Sequence, residues 1–323
     1  MRGRRHYFPR HRQLAAARRA GGRARHAGEA LSHRCGTVAL VGRPNTGKSS
    51  LLNRLVGEKL SIVSARPQTT RHLISGILTR PECQYIFVDA PGNPPRLKSV
   101  LHKALNRRVG EAASQADVVL FVVEALRFVP EDGAALERIP AGQKVIAVIN
   151  KVDTVKRSGD LIPFLDRLAK TREFAALVPV SAKSGRNLPE LLRVIAAALP
   201  QGPAAYPEDQ LTDRDERFFA AEALREKIFE TLGEELPYRC EVVVDSFKEE
   251  GRLRRIEASI LVERDSQKAI ILGKGGERLK AMATAARKDL ERLFDGKVYL
   301  GVWVKVRRAW TDDARVLRQL GYE

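Results

Sequence analysis

Residues 42–50, GRPNTGKSS, have the spacing of a nucleoside-triphosphate loop, G-x-x-x-x-G-K-S. The loop follows an apolar run typical of a strand and opens a helical pattern. Its glycines allow main-chain N–H groups to face phosphate oxygens, and the start of the helix adds a favourable field. We expect Lys48 to reach the β- and γ-phosphates and Ser49 to bind Mg²⁺. The residues predicted to surround the phosphates are Gly42, Asn45, Thr46, Gly47, Lys48, Ser49 and Ser50.

Three short motifs farther along the chain complete a guanine-nucleotide pattern. They are DAPG at residues 89–92, NKVD at residues 150–153 and SAK at residues 181–183, and each follows a predicted strand. We expect Asp89 to hold Mg²⁺. Asp153 is expected to accept hydrogen bonds from the N1–H and the 2-amino group of guanine. Adenine lacks that pair of donors, a mismatch that costs on the order of 10⁴-fold in affinity.

These motifs predict one ligand crevice, because the carboxyl ends of parallel strands meet at the same edge of a sheet. A main-chain N–H of SAK is expected to support the base. The residues predicted to bind the guanosine are Asn150, Lys151, Asp153, Ser181, Ala182 and Lys183. The ligand is therefore predicted to be GTP or GDP with Mg²⁺.

The segment PQTTRH, residues 67–72, lies between the first two motifs. A threonine here would complete the coordination of Mg²⁺ only when a γ-phosphate is present, and we choose Thr70 over Thr69. Two polar residues in a surface loop describe the GDP state, so the segment has the properties of a switch. The predicted metal ligands are Ser49, Thr70 and Asp89, and the predicted catalytic residues are Lys48, Thr70 and Gly92.

Asn93 follows DAPG at the position where signalling GTPases carry a water-orienting glutamine. Its side chain is one methylene shorter. We therefore expect slow intrinsic hydrolysis, with a mobile second switch around the NPPR sequence that begins at this residue.

A second glycine turn, GKGG at residues 273–276, has no serine or threonine after it to bind Mg²⁺. Its α-β-β-α-α-β surroundings favour the G-x-x-G turn of a KH domain, which grips the sugar-phosphate backbone of about four nucleotides. An ordinary helix–helix turn is the alternative. The residues predicted to contact RNA are Ile271, Leu272, Gly273, Lys274, Gly275, Gly276, Arg278 and Lys280. A basic face, or simply a solvated one, is expected from Arg252, Arg254, Arg255, Lys305, Arg307 and Arg308.

The alternation of strands and helices after residue 34 predicts a doubly wound α/β domain of the P-loop GTPase class, followed by an α+β type II KH domain. The predicted organisation is a disordered basic arm at 1–34, a GTPase domain at 35–199, a proline-rich linker at 200–212 and a KH domain with a C-terminal tail at 213–323. The longest apolar run, VVLFVV, is too short to span a bilayer. Three scattered cysteines show no metal-like spacing and predict plain thiols.

The net charge of +18 favours a polyanionic partner, either nucleic acid or an acidic membrane surface. Residues 1–34 hold ten arginines and one acidic residue, whereas residues 213–323 are nearly balanced, with 23 basic and 22 acidic residues. The N-terminal stretch is interpreted as a basic arm. An organelle transit peptide and a start codon assigned too far upstream are the alternatives.

The motifs together resemble the bacterial Era family of GTPases over residues 36–323. The resemblance includes GRPNTGKSSLLNRL, PQTTRH, NKVD, SAKSG, ELPY, GKGGERLK and WVKV. It implies a GTPase domain plus a type II KH domain that binds the 3′ end of 16S rRNA. It also implies a role in assembly of the 30S subunit, a cytoplasmic location and loose association with the inner membrane. Asn45 matches potassium-stimulated relatives, so K⁺ is a candidate second cation, and a monomer is expected.

Two other functions are compatible with the sequence. In one, the protein is a switch for a protein or membrane partner, and the KH-like module is a docking platform without nucleotide-dependent RNA affinity. In the other, it is an RNA chaperone in which GTP is only a structural ligand. That protein would still support ribosome assembly after the Lys48→Ala substitution.

Overall fold

The computed structural model describes residues 33–64, 66, 69–91, 100–233 and 235–322. The predicted arm up to residue 32, the predicted catalytic Gly92, Asn93 and the NPPR segment lie outside the described residues. Arg34, which the sequence assigned to the arm, is the first residue of a strand.

A six-stranded sheet forms the centre of the first domain. Its order is β2-β3-β1-β4-β5-β6; β2 is antiparallel to β3, and the other neighbours are parallel. Every residue from Val118 to Val123 is buried, as expected for a central strand covered on both faces. The strands are β1 Arg34–Val41, β2 Ile74–Thr79, β3 Cys83–Asp89, β4 Val118–Glu124, β5 Val145–Asn150 and β6 Ala176–Pro179.

Helices cover both faces of this sheet, so its two faces belong to separate apolar cores. Val118, Leu120 and Val122 lie in one core, and the alternate residues of β4, such as Phe121, lie in the other. The sheet and its helices confirm the predicted α/β domain. The helices are α1 Lys48–Val56, α2 Val100–Gln115, α3 Pro130–Glu137, α4 Leu161–Ala169 and α5 Leu188–Ala198.

The second domain has the element order α-β-β-α-α-β, as predicted for a type II KH domain. The order of its sheet is β7-β8-β9, in which β7 and β8 are antiparallel and β8 and β9 are parallel. Side chains from the three helices pack on one face of this sheet, where Ile228, Ile260 and Met282 are fully buried or nearly so. The elements are α6 Glu216–Thr231, β7 Glu241–Glu250, β8 Leu253–Val262, α7 Asp265–Leu272, α8 Glu277–Leu293 and β9 Lys297–Val306.

The predicted linker at 200–212 is bound along the first sheet. The N–H of Ile77 donates to the carbonyl of Leu211 at 2.8 Å, and the N–H of Tyr206 donates to Gln84 Oε1 at 2.9 Å. Beyond it, Phe219 of α6 belongs to the same apolar core as the first sheet. The two domains are therefore joined by a continuous apolar interface.

The C-terminal segment returns to the first domain. After the last strand, a short helix α9, Ala314–Gln319, and the residues around it pack on α2. Trp310 and Tyr322, which flank α9 in the sequence, are fully buried and share a core with Leu101 and Leu105 of α2. Within the described part of the chain, no helix is both long and apolar enough to cross a bilayer.

Candidate functional site

The phosphate loop joins β1 to α1, and two glycines give it its shape. Gly47 has φ +94°, and a Cβ there would lie 2.3 Å from Asn150 Nδ2. Gly42 has φ +154°, and a Cβ there would lie 2.4 Å from the carbonyl oxygen of Val122. Any larger residue would therefore push the loop away from β4 and β5, which carry the other nucleotide motifs.

Lys48 is the first residue of α1 and is buried beneath the loop. Its Nζ donates to the carbonyls of Gly42 and Arg43, both at 2.9 Å, so the side chain arches back across the loop. Burial lowers the pKa of Lys48 to about 8. A phosphate oxygen beside this amine would favour its charged form, because an opposite charge raises the pKa of an ammonium group. The role of Lys48 at the β- and γ-phosphates stays a prediction.

The three predicted metal ligands meet at one point. Ser49 Oγ donates to Asp89 Oδ2 at 2.7 Å, and Thr70 Oγ1 lies 3.1 Å from Ser49 Oγ and 3.4 Å from Asp89 Oδ2. Burial raises the pKa of the Asp89 carboxyl, although hydrogen bonds from Ser49 and others oppose that shift. Thr70, rather than Thr69, points to this site: the Thr69 hydroxyl donates to the carbonyl of Arg66 at 3.0 Å.

This oxygen cluster fits Mg²⁺. Asp89 Oδ1 is buried and has no hydrogen-bond partner among the described residues. A buried carboxylate oxygen without a partner is costly unless a cation or water satisfies it. Two hydroxyls and one carboxylate are also the oxygen ligands that Mg²⁺ accepts, with water and phosphate oxygens completing its shell.

Asn150 connects the guanine motifs to the phosphate loop. Its Nδ2 donates to the carbonyl of Thr46 at 2.8 Å, and its Oδ1 accepts from the N–H of Ala182 at 3.0 Å. Ser181 Oγ donates to Asp153 Oδ1 at 2.5 Å, which orients the carboxylate expected to bind guanine. The phosphate loop, NKVD and SAK are thus brought together, as the sequence predicts.

Two side chains predicted to bind the nucleotide, Thr46 and Lys151, contact other protein groups in this structure. The Thr46 side chain is fully buried, and its hydroxyl donates to the carbonyl of Arg43 at 3.1 Å, so it supports the shape of the loop. Lys151 has φ +65°, and its Nζ lies 3.2 Å from Glu124. Lys183 is exposed at the rim.

Sequence reasoning missed two residues that shape this site. Ser61 is buried and donates to Asp89 Oδ2 at 2.8 Å, from a segment without a recognisable motif. Arg43 anchors the phosphate loop through ion pairs with Glu124 at 2.8 Å and Asp132 at 3.1 Å. Both contacts join residues distant in the sequence, so no local spacing indicates them.

The second glycine turn lies between α7 and α8. Three of its residues have positive φ: Gly273 at +70°, Gly275 at +59° and Gly276 at +81°. Lys274 is exposed at the tip, and Lys280 is exposed one turn into α8. Arg278 donates to the carbonyl of Ile270 across the turn. The N–H groups of Gly273 and Gly276 donate to the carbonyls of Ala269 and Gly273, so the turn presents mainly its exposed cations, Lys274 and Lys280, to a phosphate.

The structure contradicts one residue predicted to contact RNA. Ile271 is fully buried in the core of the second domain, so its side chain cannot offer a surface to bases. The preceding residue, Ile270, is 48% exposed beside the glycine turn. Leu272 is half-buried and also packs on the core. Ile270 is the apolar side chain available at this surface.

Half of the cations of the expected basic face are paired with carboxylates. Three of its six cations form ion pairs within the second domain, and the Arg255 guanidinium also lies 4.7 Å from the centroid of the Tyr299 ring. The ion pairs are Arg254–Glu216 at 2.7 Å, Arg255–Glu250 at 3.3 Å and Lys305–Asp245 at 3.2 Å. The other three, Arg252, Arg307 and Arg308, are exposed, so cations are available to RNA on this face as well as at the glycine turn.

Known protein families match both domains. Residues 37–151 match the family described as 50S ribosome-binding GTPase, and residues 235–311 match the KH domain family. Among solved structures, a variant of Aquifex aeolicus Era bound to GDP and AlF4⁻ is 37% identical, with a TM-score of 0.86 over 90% of this chain and 99% of that one. Era in complex with MgGDPNP and nucleotides 1506–1542 of 16S ribosomal RNA gives the same values.

Relatives of known name match nearly the whole length. The GTPase Era of Nitrosomonas eutropha is 52% identical over 294 residues, which is 91% of this chain and 99% of that protein. The GTPase Era of Neisseria meningitidis serogroup B is 48% identical over 310 residues, which is 95% of this chain and 98% of that protein. With the nucleotide crevice and the KH fold, these identities show that the chain belongs to the Era family of GTPases.

Proposed function

We propose that this protein is a GTP-dependent switch that binds the 3′ end of 16S rRNA through its second domain and assists assembly of the 30S subunit. Its GTP-hydrolysing activity follows from its family. The RNA target is proposed because the solved Era complex of the same fold contains that segment of 16S rRNA. The exposed G-x-x-G turn supports the same target in this chain.

One observation supports the switch best. Thr70 Oγ1 lies 3.1 Å from Ser49 Oγ and 3.4 Å from Asp89 Oδ2, although it belongs to a separate segment of the chain. A metal bound by Ser49 and a γ-phosphate would therefore hold Thr70 as well. Loss of the γ-phosphate would remove that restraint on the segment.

Different residues of the site bind the phosphates, the metal and the guanine base. The phosphate loop holds phosphate oxygens through its N–H groups, and the Lys48 ammonium stabilises the negative charge of the β- and γ-phosphates. Ser49, Thr70 and Asp89 would hold Mg²⁺. The bound metal would stabilise the negative charge that develops on the phosphate oxygens during hydrolysis. Asp153 selects guanine. Slow turnover in the isolated protein remains a prediction from Asn93, to be measured by single-turnover hydrolysis.

The remaining assignments are finer parts of the proposal. A cytoplasmic location suits a protein that handles rRNA. Loose attachment to the inner membrane is a further part of the proposal, and the resemblance alone supports it. Stimulation by K⁺ through Asn45 and a monomeric state are further predictions. Hydrolysis rates in K⁺ and Na⁺ buffers, and the mass in solution, test these two.

The RNA proposal is tested with the full chain and an oligonucleotide that matches the 3′ end of 16S rRNA. Binding is measured with GDP and with a non-hydrolysable GTP analogue. We expect tighter binding with the analogue, and we expect a Gly273→Asp, Lys274→Asp variant to lose roughly 10- to 100-fold because two acidic groups then face the phosphate backbone. Lys297→Asp, which adds an acid at the exposed start of β9, is the matched control.

Equal affinity in both nucleotide states would contradict the switch while leaving the GTP site intact. The structure offers one feature for a docking function in that case. Tyr299 and Trp303 are 45% and 49% exposed, and both rings lie beside Gly301 on β9. Exposed aromatic pairs of this kind are frequent in protein interfaces.

A further inference from the structure

The segment that carries Thr70 is held by the second domain on both sides. On one side, Nη1 of Arg225 in α6 donates to the main-chain carbonyl of Thr69. On the other side, the Arg71 side chain reaches into the second domain. Both guanidinium groups are buried, with Arg71 3% and Arg225 1% exposed. The main chain on either side of Thr70 is therefore fixed by contacts from outside the GTPase domain.

Arg71 makes four hydrogen bonds to the stretch that leads into β7. Its Nη1 donates to the carbonyl of Cys240 at 2.7 Å and to Glu241 Oε2 at 3.0 Å. Its Nη2 donates to the carbonyls of Pro237 at 3.1 Å and Tyr238 at 2.7 Å. Such a fork of parallel donors fixes direction as well as position.

Arg225 is itself held in place by a neighbour on α6. Its Nε and Nη2 donate to the two carboxylate oxygens of Glu222 at 2.7 and 2.6 Å. This bidentate pair leaves Nη1 directed at Thr69 and the ring of Phe229 5.7 Å from the guanidinium. The bidentate contact with Glu222 therefore fixes the orientation of the Arg225 guanidinium relative to Thr69.

The C-terminal end of the chain completes the contact. The Tyr322 hydroxyl donates to Glu241, the partner of Arg71. The Tyr322 ring stacks on His72 with 4.8 Å between centroids, and the Phe218 ring meets His72 edge-on at 5.7 Å. Residues 69–72 are thus enclosed by α6, by the start of β7 and by the C-terminal tail.

Part of this network exists only when the two domains are docked, because Arg71 of the first domain pairs with Glu241 of the second, whereas Arg225 and Glu222 pair within α6. Two buried cations, Arg71 and Arg225, face two buried carboxylates, Glu222 and Glu241, so the charges balance. Removal of one member leaves an uncompensated buried charge, which is strongly destabilising. The network therefore favours a single arrangement of residues 69–72 over a range of loop conformations.

We propose that Arg71 and Arg225 are positioning residues for Thr70: they place its hydroxyl beside Ser49 and Asp89 and so complete the Mg²⁺–γ-phosphate site from the second domain. The inference rests on the proposed role of Thr70. It adds that affinity for the triphosphate depends on docking of the KH domain and the C-terminal tail. By thermodynamic reciprocity, the triphosphate stabilises that docking to the same extent.

The test measures binding of fluorescent GDP and of a fluorescent non-hydrolysable GTP analogue in Mg²⁺. The main variant is Glu222→Gln with Arg225→Met, which removes both members of the buried pair together. We expect its affinity for the analogue to fall roughly 10-fold, the size expected for one charge-assisted hydrogen bond, while its affinity for GDP stays within about twofold. The affinity for GDP is expected to stay unchanged because Thr70 contacts the metal only in the triphosphate state.

The same substitutions are then made in a Thr70→Ala background. If Arg225 acts through Thr70, the double variant causes no further loss there, because coupled residues are not additive. The matched control is Lys227→Met with Asp289→Asn. This control removes an ion pair of 2.8 Å between α6 and α8 without touching residues 69–72, and both affinities should stay at the wild-type level.

A milder variant guards against unfolding. Tyr322→Phe removes one hydroxyl and keeps the ring on His72, so we expect the same selective loss at roughly threefold. Equal losses for GDP and the analogue, or a loss that persists in full in the Thr70→Ala background, would overturn the inference. If Thr70→Ala alone binds the analogue as wild type does, the metal role of Thr70 fails, and the inference fails with it. RNA binding, measured separately, still tests the rest of the proposed function.

Discussion

At the scale of single residues, the nucleotide crevice depends on glycine where another strand approaches the loop. Gly47 and Gly57 have nearly the same backbone conformation, φ +94° and +89°, at the two ends of α1. Their surroundings differ. A Cβ at Gly47 would meet Asn150 Nδ2 at 2.3 Å, whereas a Cβ at Gly57 would meet nothing within 4 Å. A substitution at Gly57 therefore strains only the backbone, whereas the same substitution at Gly47 also displaces the nucleotide site.

We expect Gly47→Ala to lower affinity for GDP and GTP by more than about 10-fold and to cost on the order of 1–3 kcal/mol in the free energy of unfolding. The cause is the collision with Asn150, which would separate the phosphate loop from the guanine motifs. Titration with a fluorescent nucleotide and denaturant unfolding measure the two effects. Gly57→Ala should cost about 1 kcal/mol of stability and leave affinity unchanged; equal loss of affinity in both would contradict the argument.

At the scale of elements, α7 has one face buried against the sheet of the second domain and another face exposed beside the glycine turn. Ile270 is 48% exposed beside the glycine turn, and Ile271 is fully buried against the sheet. Successive residues of a helix point about 100° apart, so neighbouring isoleucines belong to different faces. The sequence IIL reads as a uniformly apolar run and does not reveal this division.

Replacement of each isoleucine by alanine should separate the two surfaces. Ile271→Ala is expected to cost about 2–5 kcal/mol in the free energy of unfolding because it leaves a cavity in the core of the second domain. Ile270→Ala should change stability by less than about 0.5 kcal/mol, as for most surface substitutions. It should weaken binding of the rRNA oligonucleotide several-fold. Thermal unfolding and RNA titration distinguish the two, and the opposite assignment of effects would refute the orientation of α7.

At the scale of the whole molecule, the domains share an apolar core as well as the charged network around Thr70. Phe219 of α6 is 3% exposed and belongs to the core beneath the first sheet, in company with Leu52 and Val56 of α1. Because a shared core couples the stability of its parts, we expect the full chain to unfold in one cooperative transition.

Phe219→Ala should weaken this coupling and divide the calorimetric transition into two. The loss of a buried phenylalanine costs about 3–5 kcal/mol, which here falls on contacts between the domains. Phe164→Ala is the control, because Phe164 is equally buried but lies on α4 in the other core of the first domain. It should lower the transition temperature without adding a second transition. Two transitions in the wild-type protein would show that the domains unfold independently.

Much of the nucleotide site was predictable because its motifs are short. GRPNTGKSS, NKVD and SAK each place their functional groups within a few residues, directly after a strand, and the parallel sheet then brings those ends together. Thr70 was also identified from the type of residue needed between the first two motifs. The element order of the second domain followed from periodicity in the same way.

Other features depend on contacts between residues far apart in the chain. Ser61 at Asp89, Arg43 at Glu124 and the four hydrogen bonds of Arg71 have no local signature, since any serine or arginine could carry them. Ion pairs with carboxylates on other strands of the sheet likewise reduced the expected basic face.

The sequence by itself determined the ligand chemistry, because phosphate, guanine and metal recognition need particular side chains at fixed short spacings. The tertiary structure decided which side chains are buried, which charges are neutralised and how the segment around Thr70 is held. Those properties arise from the packing of distant segments against one another. The proposed positioning of Thr70 by Arg71 and Arg225 therefore rests on contacts that only the folded chain makes.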